Sequence, residues 1–167
     1  MIEAEMGSIA GIDAIAADTV LKGGKVYCYS RYRNSMAVEG HHRRGGLALT
    51  RGVCVQEGKL TSMDGYVPFA GTNRDIVIMG VWEPDDEVDL ASLDTFRRAG
   101  MKVASLGPMT RDIAVPKGRT VPKETDIHAG RMCDTYGLFA VPGFERKVCP
   151  SSGALINQLW WATCMAI

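Results

Sequence analysis

The stretch over residues 75–106 constrains the fold more than any other part of this 167-residue chain. It opens with the apolar run Ile76–Met79, which is typical of a strand buried on both faces of a parallel sheet. Pro84 and the acidic residues after it predict the start of a helix, and Gly100 predicts its end. A second strand is expected over 102–106. Strand, helix and strand within about 30 residues form a βαβ unit, which predicts an α/β fold with a mostly parallel sheet.

Helical patterns flank this unit on both sides. Apolar residues at spacings of three and four predict a first helix from about Ile9, ended by Gly23-Gly24. A second helix is expected to begin near Met36 and to end at Gly45-Gly46, and a last helix over 154–165 has a broad apolar face. In the central helix the expected buried stripe consists of Val88, Leu90, Leu93 and Phe96.

The remaining strands are less evenly marked. Residues 25–29 are rich in β-branched and aromatic side chains and predict a strand. Residues 47–72 show a weak alternation of apolar and polar side chains, interrupted by glycines, and are interpreted as short strand or loop. Beyond Gly107 the chain is rich in proline and glycine, and 137–141 is the best strand candidate there. No linker, repeat or low-complexity tract divides the chain, so a single domain over 1–167 is expected.

Composition argues against several classes of protein. The 19 Lys and Arg residues balance the 19 Asp and Glu residues, so a nucleic-acid partner, bound through excess positive charge, is not expected. No apolar run approaches the roughly 20 residues that span a bilayer, so no membrane partner is expected. The five cysteines are dispersed without a CxxC pair, which argues against a disulfide framework or a zinc site. Acidic residues near the start do not suit a signal peptide, so a cytoplasmic location is expected.

Several strings along the chain resemble a known family. A polar loop from Ser30 to Ser35 leads into a helix carrying Glu39, and the string Arg44-Gly45-Gly46-Leu47-Ala48 follows. Ser151-Ser152 opens the last helix. This order resembles sugar isomerase (SIS) domains, in which a strand, a loop bearing serine and a helix with a glutamate precede an Arg-x-Gly-Gly-Leu-Ala-like string. The resemblance implies a flavodoxin-like, three-layer α/β/α domain that binds phosphorylated sugars at the carboxyl ends of its strands and usually dimerises.

The resemblance and the residue chemistry together nominate site residues. Glu39 matches the family's helix glutamate and is the candidate general base of an aldose–ketose isomerase, while His42, one helical turn away, and His128 are candidate catalytic partners. Candidate residues for binding an anionic sugar are Ser30, Arg31, Arg33, Asn34, Ser35, Ser151 and Ser152. The simpler alternatives are solvated loop cations, a structural helix acid and satisfied histidines.

Neither a metal nor a cofactor is expected. Glu39 and His42 form a lone Glu-x-x-His pair, which is weak evidence for a metal without a second copy. The glycine-rich fingerprint of a flavin or nucleotide site does not occur in the chain. The expected ligand, as the resemblance implies, is a small anionic sugar.

One loop favours a different class of function. After the strand at 76–79 the chain reads Val81-Trp82-Glu83-Pro84-Asp85-Asp86, where the family has a serine- and threonine-rich phosphate loop. The carboxylates of this loop would repel a phosphate dianion. A non-catalytic SIS-like binding or subunit-assembly module is therefore the alternative. The acidic residues over 83–89 are otherwise interpreted as a solvated helix N-terminus, favoured by the helix dipole.

The adjacent residues Trp160 and Trp161 predict an interface. Neighbouring positions on a helix point about 100° apart, so one of the two rings must leave the core beneath the helix. A homodimer or higher homo-oligomer is expected to cover that ring.

Overall fold

A computed structural model describes residues 2–31, 36–42, 49–110, 116–130, 142–143 and 152–166. The helices are α1 (Ile2–Leu21), α2 (Met36–His42), α3 (Glu87–Arg98), α4 (Val121–Glu124) and α5 (Ser152–Ala166). The strands are β1 (Val26–Ser30), β2 (Thr50–Gln56), β3 (Lys59–Ser62), β4 (Ile76–Gly80), β5 (Lys102–Leu106) and β6 (Ile127–Ala129). The predicted α/β class is confirmed, with helices on both faces of one mostly parallel sheet.

The order of the strands creates a reversal point in the sheet. In the described part of the chain the sheet has six strands in the order β3-β2-β1-β4-β5-β6, and β3 alone among them is antiparallel to its neighbour. The chain winds outward from β1 to β2, then crosses back to β4 on the other side of β1. In doubly wound sheets of this kind, ligands bind outside the carboxyl ends of the strands where the order reverses.

Two hydrophobic cores lie on the two faces of the sheet, because successive side chains of a strand point to opposite faces. In β1, Val26 and Cys28 join the core under α1, α2 and α5. Tyr27 and Tyr29 join the core under α3 and α4. Both β1 and β4 are buried along their whole length, as expected for strands covered on both sides. Trp160 is fully buried in the first core, whereas Trp161 is half-buried at its edge.

The βαβ unit forms as predicted, but its helix begins later than Pro84. Asp86 is the N-cap of α3, and its Oδ1 accepts the backbone N–H groups of Val88 at 2.9 Å and Asp89 at 3.0 Å. Gly100, with φ +79°, follows the helix in the left-handed conformation expected for its end. The prediction that Val88 is buried is wrong, since 47% of it is exposed, while Leu93 and Phe96 are buried.

Regular structure also forms in two regions whose sequence patterns are weak. Residues 47–72, interpreted as short strand or loop, contain the hairpin β2–β3, whose turn residues Glu57 and Gly58 both have positive φ. The proline-rich segment after Gly107 contains α4 and β6. The strand expected over 137–141 and the helix end expected at Gly45-Gly46 lie outside the described residues.

Candidate functional site

The reversal point lies between the carboxyl ends of β1 and β4. The last residues of these strands, Ser30 and Gly80, are paired in register, and Ser30 is 8% exposed. Arg31 follows β1, and the loop over 81–86 follows β4 and leads directly into α3. The N-terminus of α3 therefore opens at the same end of the sheet as Ser30 and Arg31, which is where such folds place a ligand.

An ion pair joins the two loops across the reversal point. The Arg31 guanidinium binds Oδ2 of Asp86, whose Oδ1 caps α3. About a third of the Arg31 side chain is exposed, against 16% of the Asp86 side chain. An arginine in this position can bind an incoming oxyanion only in exchange for, or alongside, the Asp86 carboxylate. The two opposite charges that the sequence places in separate segments are neutralised here by each other.

A buried polar cluster lies beneath this ion pair, formed by Tyr29 of β1 with Asp89 and Ser92 of α3. The Tyr29 hydroxyl donates to Asp89 Oδ1 at 3.1 Å and lies 3.0 Å from Ser92 Oγ. Asp89 is 1% exposed. Burial, together with the neighbouring charge of Asp86, raises the pKa of Asp89 to about 7 against the lowering effect of the Tyr29 hydrogen bond. Burial also raises the pKa of Tyr29, so its hydroxyl stays protonated and acts as a donor.

Asp89 is a functional candidate that the sequence analysis missed. The interpretation of residues 83–89 as uniformly solvated is wrong at this position, because Asp89 lies on the buried side of α3 together with Ser92 and Phe96. The spacing of three and seven residues between them was the available signal. A carboxyl group whose pKa lies near neutrality, next to a reversal point, is typical of a site that moves or holds a proton.

Two predicted catalytic residues, Glu39 and His42, belong to α2. This helix packs on the same face of the sheet as α5, and Gly40 is where the two meet, since a methyl group there would lie 2.6 Å from the Trp160 ring. Positions 39 and 42 are three apart and share one face of the helix. Their side chains lie outside the part of the structure that is described.

The third predicted catalytic residue, His128, lies on the other face of the sheet. It is 7% exposed, and its Nδ1 lies 2.9 Å from Ser105 Oγ, which in turn lies 2.9 Å from Thr125 Oγ1. Ser105 alternates with Ala104 and Leu106, which face α1 and α5, so His128 and α2 are on opposite sides of the sheet. One chain therefore does not bring His128 together with Glu39 and His42.

The structure brings together two of the predicted substrate-binding residues, Ser30 and Arg31. Ser152 is the first residue of α5, and its side chain lies outside the described part. Arg33, Asn34, Ser35 and Ser151 also lie outside the described residues.

No model of a known protein family matches this chain, and no curated protein is significantly similar. Within the described ranges, none of the helices has the length and apolar character that crossing a bilayer requires. The same residues contain no group of three or more histidine, cysteine, aspartate or glutamate side chains placed to hold a metal ion.

Proposed function

We propose that this chain is a SIS-like domain that binds a small phosphorylated or otherwise anionic sugar at the carboxyl ends of β1 and β4. The observation that carries the proposal is the Arg31–Asp86 ion pair at the point where the strand order reverses. Arg31 supplies a guanidinium for the anionic group, and Asp86 is a carboxylate that the anion replaces. The family resemblance over residues 30–48 points to the same end of the sheet.

The remaining groups at this end suit a sugar. Glu83 and Asp85 are partly buried carboxylates of the loop between β4 and α3, and a carboxylate accepts hydrogen bonds from hydroxyl groups. In the proposed isomerase, Glu39 removes a proton from one sugar carbon and returns it to the next, and His42 or His128 assists at an oxygen. Since His128 faces away from α2, a contribution from it to the same centre would come from a second copy of the chain.

A binding experiment tests the site. Fructose 6-phosphate, glucose 6-phosphate and unphosphorylated glucose are titrated into the protein by calorimetry. We expect saturable binding of a phosphorylated sugar, weakened about tenfold or more in Arg31→Gln, because a charge-assisted hydrogen bond is worth roughly 1.5–3 kcal/mol. Arg74→Gln, which removes an exposed cation elsewhere, serves as the control and is expected to bind normally. Equal binding by Arg31→Gln and the parent would refute the site.

The alternative is a non-catalytic SIS-like binding or assembly module. Its support is the same ion pair, since Asp86 already neutralises the cation that a phosphate would need. Interconversion of the two sugar phosphates separates the alternatives. An isomerase requires activity that Glu39→Gln abolishes, whereas a binding module gives none with the parent protein. Activity that survives Glu39→Gln unchanged would remove the assigned base.

We also propose that the domain forms a homodimer in the cytoplasm. The outward side of α1 carries the exposed small residues Ala4, Gly7, Ala10 and Ala14, and Trp161 of α5 is half-buried nearby on the same face of the sheet. A face of small apolar side chains allows close approach of a second copy. Cysteines that are dispersed along the sequence without a CxxC pair suit a reducing compartment.

A further inference from the structure

A cavity of about 260 Å³ lies at the opposite end of the sheet from the reversal point. Its floor is the α3 face of β1, β2 and β3, where Tyr27, Arg51 and Ser62 project from neighbouring strands. The loop over 64–70 folds back along β3 and covers the floor. The hydrogen bonds of Ser62 N to Val67 O and of Phe69 N to Leu60 O, both 3.0 Å, hold that loop in place.

The apolar side of the cavity is fixed by an aromatic pair. Phe69 stacks on Tyr27 with ring centroids 4.9 Å apart and an interplanar angle of 15°. Val67, Pro68 and Ala70 continue this side along the covering loop. The stacking holds the Tyr27 ring in one orientation, so its hydroxyl has a fixed position in the cavity wall.

No described residue accepts a hydrogen bond from that hydroxyl, and Tyr27 lines the cavity. Tyr27 is 4% exposed, and burial together with the nearby Asp75 carboxylate raises its pKa, while the nearby Arg51 cation lowers it. The phenol is therefore protonated at neutral pH. The hydroxyl is therefore available to donate a hydrogen bond to a ligand, and a bond to a charged acceptor is stronger than one to a neutral acceptor.

Two cations face the same cavity. Lys25 and Arg51 both line it, and neither side chain forms an ion pair with a described residue. Two carboxylates lie near them, and one of these, Asp64, itself lines the cavity. Asp75 accepts bonds of 2.9 Å from Lys25 N, Thr72 N and Thr72 Oγ1. Asp64 lies 2.8 Å from His41 Nε2.

We infer that this cavity is a second ligand site, which binds a carboxylate or phosphate group attached to a compact, planar organic body. The oxyanion accepts from the Tyr27 hydroxyl and pairs with Arg51 and Lys25, and the planar body lies against Pro68 and Phe69. Carboxylate and phosphate present the same acceptor chemistry, and the choice between them is left to the experiment. This inference does not rest on the proposed sugar site, which is at the other end of the strands.

Benzoate and phenyl phosphate are the probes, and neutral benzamide is the chemical control. Each is titrated into the full chain, with binding followed by amide chemical shifts and by calorimetry. We expect saturable binding of at least one anion, with shifts at residues of β1, β2 and the loop over 64–70. Benzamide is expected to bind at least about tenfold more weakly because it cannot pair with the two cations. Tighter binding of one anion over the other identifies the preferred group.

Two variants and a matched control test whether the anion binds in this cavity. Tyr27→Phe keeps the stacked ring and removes only the hydroxyl, and Arg51→Gln removes an exposed cation, so both are expected to fold. Each should weaken anion binding about tenfold. Lys59→Gln, which removes another exposed cation of the same sheet, should leave it unchanged. The inference is overturned if neither anion saturates, or if Arg51→Gln binds like Lys59→Gln.

Discussion

Asp13 is an acidic residue in a buried environment that disfavours its charged form. It lies on the mostly apolar helix α1, is 5% exposed, and neither carboxylate oxygen has a hydrogen-bond partner among the described residues. Burial raises the pKa of Asp13 to about 6 from its ordinary value of 3.8. Folding therefore favours the protonated acid. The contribution of Asp13 to stability is complete below about pH 4 and is lost as the pH rises through about 6.

Asp13→Ala is expected to be more stable than the parent above pH 6. The difference between the two pKa values corresponds to up to about 3 kcal/mol, and alanine also suits a helix interior. Urea unfolding of both proteins at a series of pH values measures this difference in the free energy of unfolding. Asp18→Ala is the control on the same helix, because Lys22 holds the pKa of Asp18 below its ordinary value and its effect has the opposite sign. The pKa of Asp89 is also raised, so the stability of Asp13→Ala should depend on pH less than that of the parent but should still depend on it. Curves for Asp13→Ala and the parent that stay parallel would contradict this.

At the scale of elements, backbone hydrogen bonds join the carboxyl ends of β4, β5 and β6. Val81 N donates to Leu106 O at 2.8 Å, and Gly107 N donates to Ala129 O at 3.0 Å. Gly107 has φ +146°, and a methyl group there would overlap the Val81 carbonyl oxygen. Gly130, with φ +116°, approaches the Gly107 carbonyl in the same way. These ends meet so closely that only glycine fits.

Gly107→Ala is expected to destabilise the fold by at least about 3 kcal/mol, from backbone strain together with the overlap. Chemical denaturation measures the loss. Gly118→Ala is the matched control, because an added methyl group there meets nothing within 4 Å and the backbone has no positive φ, so its effect should stay within about 0.5 kcal/mol. Equal stability of the two variants would mean that the strand ends are not held as described.

Elements defined by local sequence patterns could be predicted, whereas elements that depend on distant contacts could not. Helix α3 could be predicted because its acidic first turn, apolar stripe and Gly100 all lie within one segment. Strand β6 could not be predicted, because it has only three residues and contacts from other parts of the chain stabilise it. Asp126 Oδ2, just before it, accepts Val103 N at 2.8 Å and is bound by Arg97 of α3. The sequence also carries no sign that Tyr29 would meet Asp89, sixty residues away, or that His128 would face away from α2.

At the scale of the whole molecule, the zero net charge is the sum of a basic region and an acidic region, which one ion pair joins. Arginines gather after β1, and carboxylates gather around the start of α3. The Arg31–Asp86 pair joins them at the reversal point. The lysine and arginine at the other end of the sheet, Lys25 and Arg51, have no such partner among the described residues. The two ends of one sheet therefore differ in how strongly they attract an anion, although the chain as a whole is neutral.

We expect the proposed dimer to form through the outer side of α1. It combines exposed alanines and glycine with Leu21, which is 86% exposed, and it carries acidic side chains only towards the helix ends. Light scattering with size exclusion at micromolar concentration is expected to give the mass of a dimer. Ala14→Arg places a charge in the middle of this side and should give a monomer, with little change in helix propensity. Val88→Arg, on the opposite face of the sheet, replaces another exposed apolar residue and should stay dimeric. A monomeric parent would exclude the dimer, and dissociation by Val88→Arg alone would move the interface to the α3 side.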